Sequence, residues 1–223
     1  MRSDTRGQET KQVIAPRLAR TLPVVAGELL ASHDEFGRGR IAGDDLAGRV
    51  LEFFALREMV FSGVGLAQTR FTAARLDRVR FENCDLANAD WPRLIAHHVE
   101  FIGCRMDGFT LPEAYGEEIH FVECSLQFAR IRFATLKRAR FERCNLAAAD
   151  FQASDLSGAV FARCNLQDLQ ASQATLAGAD FRTSTLEGIR VGVAELAGAV
   201  VDPFQASYLA SLMGLVIKNE DEA

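Results

Sequence analysis

The sequence is short of the signals that mark a catalyst, a secreted scaffold or a membrane protein. It has one tryptophan, four histidines and five prolines among 223 residues. No Cys-x-x-Cys pair or Cys–His spacing of the zinc type occurs. A Gly-rich phosphate loop between strand and helix and a G-x-S-x-G elbow are also missing. No stretch approaches 18 consecutive apolar residues, so no membrane span is expected. The first 20 residues are polar, with Arg2, Arg6, Lys11, Arg17 and Arg20, and lack the apolar run of a secretory leader. The expected location is therefore the cytoplasm. A net charge of −5 speaks against direct nucleic-acid binding.

What the chain does contain is an unbroken period of five. From Leu51 to Val201, residues whose numbers end in 1 or 6 are large and apolar, except Ala96, Gly116 and Ala171. The run opens Leu51, Leu56, Phe61, Leu66, Phe71, Leu76, Phe81, Leu86, Trp91, and no insertion breaks it. Five matches neither the helical period of 3.6 nor the strand period of 2. A fixed short period sustained over such a length marks a solenoid.

Two positions before each centre runs a second, smaller series, including Ala74, Cys84, Ala89, Cys104, Ala129, Ser154, Ala159 and Ala179. Residues two apart share one side of extended backbone. Each pentad thus offers a large and a small group to an interior. Leu94 before Ala96 and Leu169 before Ala171 conserve volume within their pentads, as close packing requires. Ala114 before Gly116 has no such compensation, which predicts a distortion or a hole.

Phe and Leu alternate between centres, which favours an even number of pentads per coil. The cysteines Cys84, Cys104, Cys124, Cys144 and Cys164 fall 20 apart. Phe61, Phe81, Phe101, Phe121, Phe141, Phe161 and Phe181 fill one column at the same interval. A 20-residue coil stacks both sets into core ladders, with coils about 4.8 Å apart. Residues 41–201 would then make about eight coils. Such a rod has no concavity with converging polar groups, so an enzyme is not expected.

The triplets Cys84-Asp85-Leu86, Ala89-Asp90-Trp91, Cys144-Asn145-Leu146, Ala149-Asp150-Phe151, Cys164-Asn165-Leu166 and Ala179-Asp180-Phe181 resemble the A(D/N)LXX consensus of the pentapeptide-repeat family. The resemblance covers roughly residues 49–201. It implies an all-β fold, a right-handed quadrilateral β-helix with one pentad on each side. The layout then reads as a flexible N-terminal tail over 1–22 and a cap with an atypical first coil over 23–48. The repeat β-helix occupies 49–201, a C-terminal helix and short strand 202–217, and a charged tail 218–223.

The cysteines occupy the slot that Ala and Ser fill elsewhere, which predicts small, reduced packing groups. No metal or cofactor is expected. Outside, 20-residue coils align Asp77, His97, Glu117 and Lys137 in one column and Arg78, His98, Glu118 and Arg138 in another. Alternating signs predict exposed ion pairs worth about 0.2–1 kcal/mol each rather than an acid–base or metal centre. The side centred on Leu66, Leu86 and Met106 is mildly acidic, with Asp85, Asp107, Asp168 and Glu187 against Arg105. The side centred on Phe71, Trp91, Leu111 and Ile131 is mildly basic, with Arg70, Arg93, Arg130, Arg132 and Arg190 against Asp90, Glu113 and Asp150.

Asp202-Pro203 reads as an N-cap followed by proline at the first helical position. A helix over Phe204–Met213 follows, ended by Gly214, and Leu215-Val216-Ile217 reads as a last short strand. One stripe of the helix suffices to cover the open solenoid end. Further apolar positions allow a homodimer interface, as the resemblance implies, through Phe204, Tyr208, Leu209, Leu212, Met213 and Leu215.

The resemblance also implies a partner, DNA gyrase or topoisomerase IV, bound by a mimic of duplex DNA that protects against quinolones or toxins. Duplex DNA is uniformly negative, and the mixed sign of this rod weakens that reading. The alternative is a protein–protein scaffold with a partner unrelated to gyrase. Its contacts would lie around Arg130, Arg132, Lys137, Arg138, Arg140 and Arg143.

Overall fold

The structure, a computed structural model, describes residues 16, 18–19 and 21–218. The expected tails therefore lie largely outside the described residues. Nine strands carry the fold: β1 (Glu35–Ala42), β2 (Val50–Glu52), β3 (Ala55–Ser62), β4 (Arg70–Thr72), β5 (Arg75–Glu82), β6 (Ile95–Ile102), β7 (Tyr115–Val122), β8 (Arg140–Glu142) and β9 (Val160–Ala162). One helix, α1 (Pro203–Leu212), follows them. The sheet order β1-β3-β5-β6-β7-β8-β9 is wholly parallel, and each register is offset by 20 residues. Isolated parallel bridges at the same offset continue the stack to the pair Asp180 and Val200. The chain is a β-solenoid of 20-residue coils.

The ladder closes because neighbouring amides point to opposite neighbours. The Arg105 amide donates to the Cys84 carbonyl of the coil before (3.0 Å), and the Met106 amide to the Ser125 carbonyl of the coil after (2.7 Å). Inside, the phenylalanine column is a single file. Ring centroids from Phe61 to Phe181 are 4.7–5.0 Å apart, and from Phe81 onward successive planes lie within 6° of parallel. Trp91 stacks on Phe71 at 5.0 Å, and its Nε1 donates to the buried Thr69 hydroxyl (3.1 Å). That hydroxyl in turn donates to the Leu66 carbonyl (2.8 Å), so no indole or hydroxyl proton is stranded in the core.

The corners explain the polar letters of the repeat. Residues with numbers ending in 3 or 8 have φ between about +50° and +80° from Arg38 to Gly188, whether or not they are glycine. Aspartate or asparagine one place before a centre accepts the amide of the residue one place after it: Asp85 from Ala87 (3.0 Å), Asn145 from Ala147 (3.2 Å), Asp150 from Gln152 (2.9 Å). This side-chain turn ties down the backbone just before the left-handed residue.

Three expectations are corrected. No hole forms at Gly116: Ile119, two places before Phe121, fills the space, and a Cβ on Gly116 would collide with it and with Leu136 Cδ2 at 2.7 Å. Regular pairing begins at Glu35, earlier than residue 49, because Phe36 and Ile41 already align with Leu56 and Phe61. Leu215–Ile217 form no strand and lie exposed. The solenoid loses its register over residues 193–198 and regains it only briefly, at Val200, before α1.

That loss has a local cause. The next left-handed corner after Gly188 falls on Val193, whose β-branched side chain disfavours that conformation. Val193 does not adopt positive φ, and residues 193–198 run as irregular turns. The Gln173 amide, deprived of a carbonyl above it, donates instead to Glu195 Oε1 (2.8 Å). At the other end, a single 3-10 turn (Gly27–Leu29) and the buried Leu30 close the first coil. Arg49 fixes this cap by donating to the Gly27 and Leu30 carbonyls (2.9 and 2.5 Å).

Candidate functional site

Among the described residues the interior is filled mainly by apolar side chains and thiols. All five cysteines are free and buried. Each Sγ lies 3.3–3.6 Å from two carbonyls, one of them from the phenylalanine of the coil below: Cys124 reaches those of Phe101 and Val122, both at 3.3 Å. Carbonyls only accept, so these contacts favour the protonated thiol. Contact with the adjacent Cys104 thiol and burial push Cys84 upward, and Cys164 is raised likewise by Cys144 and burial. Ser154 and Ser184 occupy the same slot and donate to the equivalent carbonyls of Ile131 (2.6 Å) and Phe161 (2.8 Å). Among the described residues no group of three or more His, Cys, Asp or Glu is placed to hold a metal.

The charged groups lie on the outside of the rod, and there charges meet opposite charges. Arg105 forks onto Asp85, with Nε at 3.0 Å and Nη2 at 2.5 Å. That hydrogen bond holds the Asp85 carboxyl below its ordinary range. Arg182 does the same for Asp180. Arg38 and Arg78 share Glu58, each at 3.0 Å, and Arg143 takes Glu123 at 2.8 Å. In the two histidine columns, His97 Nδ1 lies 3.6 Å from Glu117 and His98 Nε2 3.1 Å from Glu118. Lys137 does not pair along its column. It leans to Asp155 (3.1 Å), while Arg138 crosses to Glu117 at 3.9 Å. A long side chain at a corner reaches two columns, a freedom that column order does not convey.

One charged cluster is sunk into the surface. Glu100 is nearly buried beside Arg80, whose Nε donates to it at 2.8 Å, and His120, whose Nδ1 lies at 3.8 Å. Burial pushes the Glu100 carboxyl upward, but His120 and Arg80 outweigh it and hold the group below its ordinary range. His120 also faces Glu142 at 3.8 Å, so the imidazole is sandwiched between two carboxylates.

At the C-terminal end, Asp202 Oδ1 accepts the Gln205 amide (2.9 Å) while Gln205 Oε1 accepts the Asp202 amide (3.0 Å), a capping box at the start of α1. Gln205 is itself buried and donates to the Phe181 and Ser184 carbonyls (2.8 and 2.7 Å), which a further coil would otherwise engage. Leu209 packs on the core with 6 % exposure, and the Tyr208 hydroxyl accepts the Gly188 amide at 2.7 Å. The six candidate interface residues thus divide. Tyr208 and Leu209 seal the end, whereas Phe204 (88 % exposed), Leu212, Met213 and Leu215 face away from it.

Column reading overlooked three outward phenylalanines, Phe53, Phe128 and Phe133, all at left-handed corners and more than half exposed. Their positions, two places after a centre, were the available signal. No helix among the described residues is long and apolar enough to cross a membrane.

A parallel solenoid of five-residue sides, with left-handed corners between them and Asx turns at many, defines the class. The family model described as "Pentapeptide repeat region" matches residues 74–151 and 94–171, so the coils over that stretch are pentapeptide repeats. No curated protein matches the sequence. Among solved structures, a trypsin-treated variant of QnrB1, a plasmid-mediated fluoroquinolone resistance protein, is 20% identical, covering 83% of this chain and 100% of its own with a TM-score of 0.44. HetL, involved in heterocyst differentiation regulation in the cyanobacterium Nostoc, is also 20% identical, covering 76% and 90% with a TM-score of 0.35.

Proposed function

We propose that this chain is a non-enzymatic binding rod that engages another protein through its flat sides. The observation that supports this reading is the pairing of its surface charge. Asp85, Asp90, Asp150, Asp155 and Asp180 each lie against an arginine or lysine. A mimic of duplex DNA needs dense, unpaired negative charge. Paired charges leave instead a mixed surface of the kind that gives specificity in protein contacts. Association of two copies through Phe204, Leu212, Met213 and Leu215 belongs to the same proposal. Sedimentation at micromolar concentration should show about twice the 24.5 kDa chain mass, and a single 24.5 kDa species would remove the dimer.

The second reading, a gyrase- or topoisomerase IV-directed protector, is favoured by the net charge of −5 and by the repeat resemblance. A supercoiling and quinolone-cleavage assay with purified protein separates the two. The scaffold reading expects no change in either activity at micromolar protein. Inhibition of supercoiling, or protection from quinolone-stabilised cleavage, would replace it with the gyrase reading.

A further inference from the structure

The geometry points to one side of a single coil, residues 128–133, as the docking face for an extended acidic segment of a partner protein that carries two large apolar residues. This rests on the protein-binding reading above and names the surface and its occupant.

Phe128 and Phe133 sit at the two corners of that side, with φ of 58° and 55° and exposures of 64 % and 61 %. Bulky residues are disfavoured in this backbone region, where nine corners of the rod carry glycine instead (Gly43 and Gly48 among them). The third corner phenylalanine, Phe53, has a packing role, since it stacks on His33 at 5.6 Å. Phe128 and Phe133 stack on no ring among the described residues. Two rings held in a disfavoured conformation and left in water contribute little to folding.

Between them lie Arg130 and Arg132. Arg132 Nε donates to Asp150 Oδ2 at 2.7 Å, and the other oxygen of Asp150 accepts the Gln152 amide. Arg130 is aligned with the same Asp150 but makes no ion pair among the described residues. Beside it lies a shallow depression of about 630 Å³, lined by Phe128, Ala87, Gly108 and Arg130 among others. Its carboxylates are already engaged: Asp90 accepts from Arg70 and Thr110, and Asp107 from Ser125. Arg130 is the cation left over. From Phe128 to Arg143 the chain carries six cations and one carboxylate, Glu142, in a protein of net charge −5. Glu113 on the coil before and Asp150 on the coil after bound the positive patch.

An acidic occupant matches Arg130, and apolar side chains match the two rings. Five residues of extended backbone, at about 3.3 Å each, span one side of the rod. The partner's two apolar residues therefore stand about five apart, with Asp or Glu between them. Aromatic rings with arginine also suit single-stranded nucleic acid, which the overall charge opposes.

The test is selection of a phage-displayed random peptide library on the full chain, followed by binding measurements with the variants Phe128→Gly, Phe133→Gly and Arg130→Glu. Glycine suits both corners, so the first two variants should keep or raise the melting temperature, which separates lost contact from lost folding. The expected result is enrichment of peptides with an acidic core between two large apolar residues, bound about tenfold more weakly by each variant. Selected peptides that bind the variants equally well would overturn this face while leaving the protein-binding reading intact. Failure to enrich any such peptide would also overturn it. Arg130-dependent binding of a single-stranded oligonucleotide would overturn it in favour of nucleic acid. Binding of a synthetic Leu215–Ala223 peptide at that face would instead make the chain's own tail the occupant.

Discussion

A left-handed corner every five residues is the strictest demand this fold makes on single side chains. Outward corners between Arg38 and Gly178 carry Gly, Arg, Asn, Asp, Glu, Gln, His, Phe or Ala, and no β-branched residue. Thr183, the first exception, offsets its conformation by accepting the Arg163 amide at 3.0 Å. Val193 has no such bond and the coil unwinds there. Ala148, with φ of 55°, should therefore not tolerate valine. Ala148→Val is expected to cost about 1–2 kcal/mol in urea unfolding, whereas Ala148→Gly should be neutral or stabilising. Equal effects of the two would show that the corner is not conformationally selective. Glu100 makes a residue-scale prediction about pH. Its folded pKa is depressed, so its contribution to stability is present above the unfolded carboxylate value and lost as pH falls through the folded one. Thermal scans across the acid range should show this loss in the native chain and less of it in Glu100→Gln.

At the scale of elements, α1 is as much a plug as a helix. Gln205 spends its side-chain NH2 on two carbonyls of the last regular coil and its oxygen on the capping box. Gln205→Ala leaves the Ser184 carbonyl unsatisfied and the Phe181 carbonyl with only the Ser184 amide, and should destabilise by about 1–3 kcal/mol. The loss should show as faster hydrogen exchange confined to the coils nearest α1. Uniform acceleration along the whole rod would argue against an end plug. The exposed face of α1, by contrast, contributes nothing visible to the fold. Phe204→Ala should leave the melting temperature unchanged while changing sedimentation, if two copies associate there.

For the whole molecule, each coil touches only its neighbours, so stability is close to a sum over adjacent interfaces. Phe121 stacks between Phe101 and Phe141 at 5.0 and 4.7 Å. Phe121→Ala removes both contacts at once and should cost about 3–5 kcal/mol. It should also separate the unfolding of the two halves, which calorimetry would resolve as a broadened or double transition. A single sharp transition at lower temperature would mean that the rod unfolds as one body despite its linear contact pattern.

The coil length, the stacked phenylalanines and the cysteine ladder were legible in the residues themselves. A solenoid repeats one environment, so a fixed interval in sequence is a fixed neighbour in space. The start of α1 was legible for a similar reason: Asp202, Pro203 and Gln205 act on backbone within their own turn. Contacts that depend on reach were not legible. Lys137 prefers Asp155 to Glu117, Ile119 fills the gap over Gly116, and Tyr208 and Leu209 turn inward while Phe204 turns out. Each of these is decided by where a flexible side chain finds space and charge among neighbouring columns, and only the assembled rod supplies those distances.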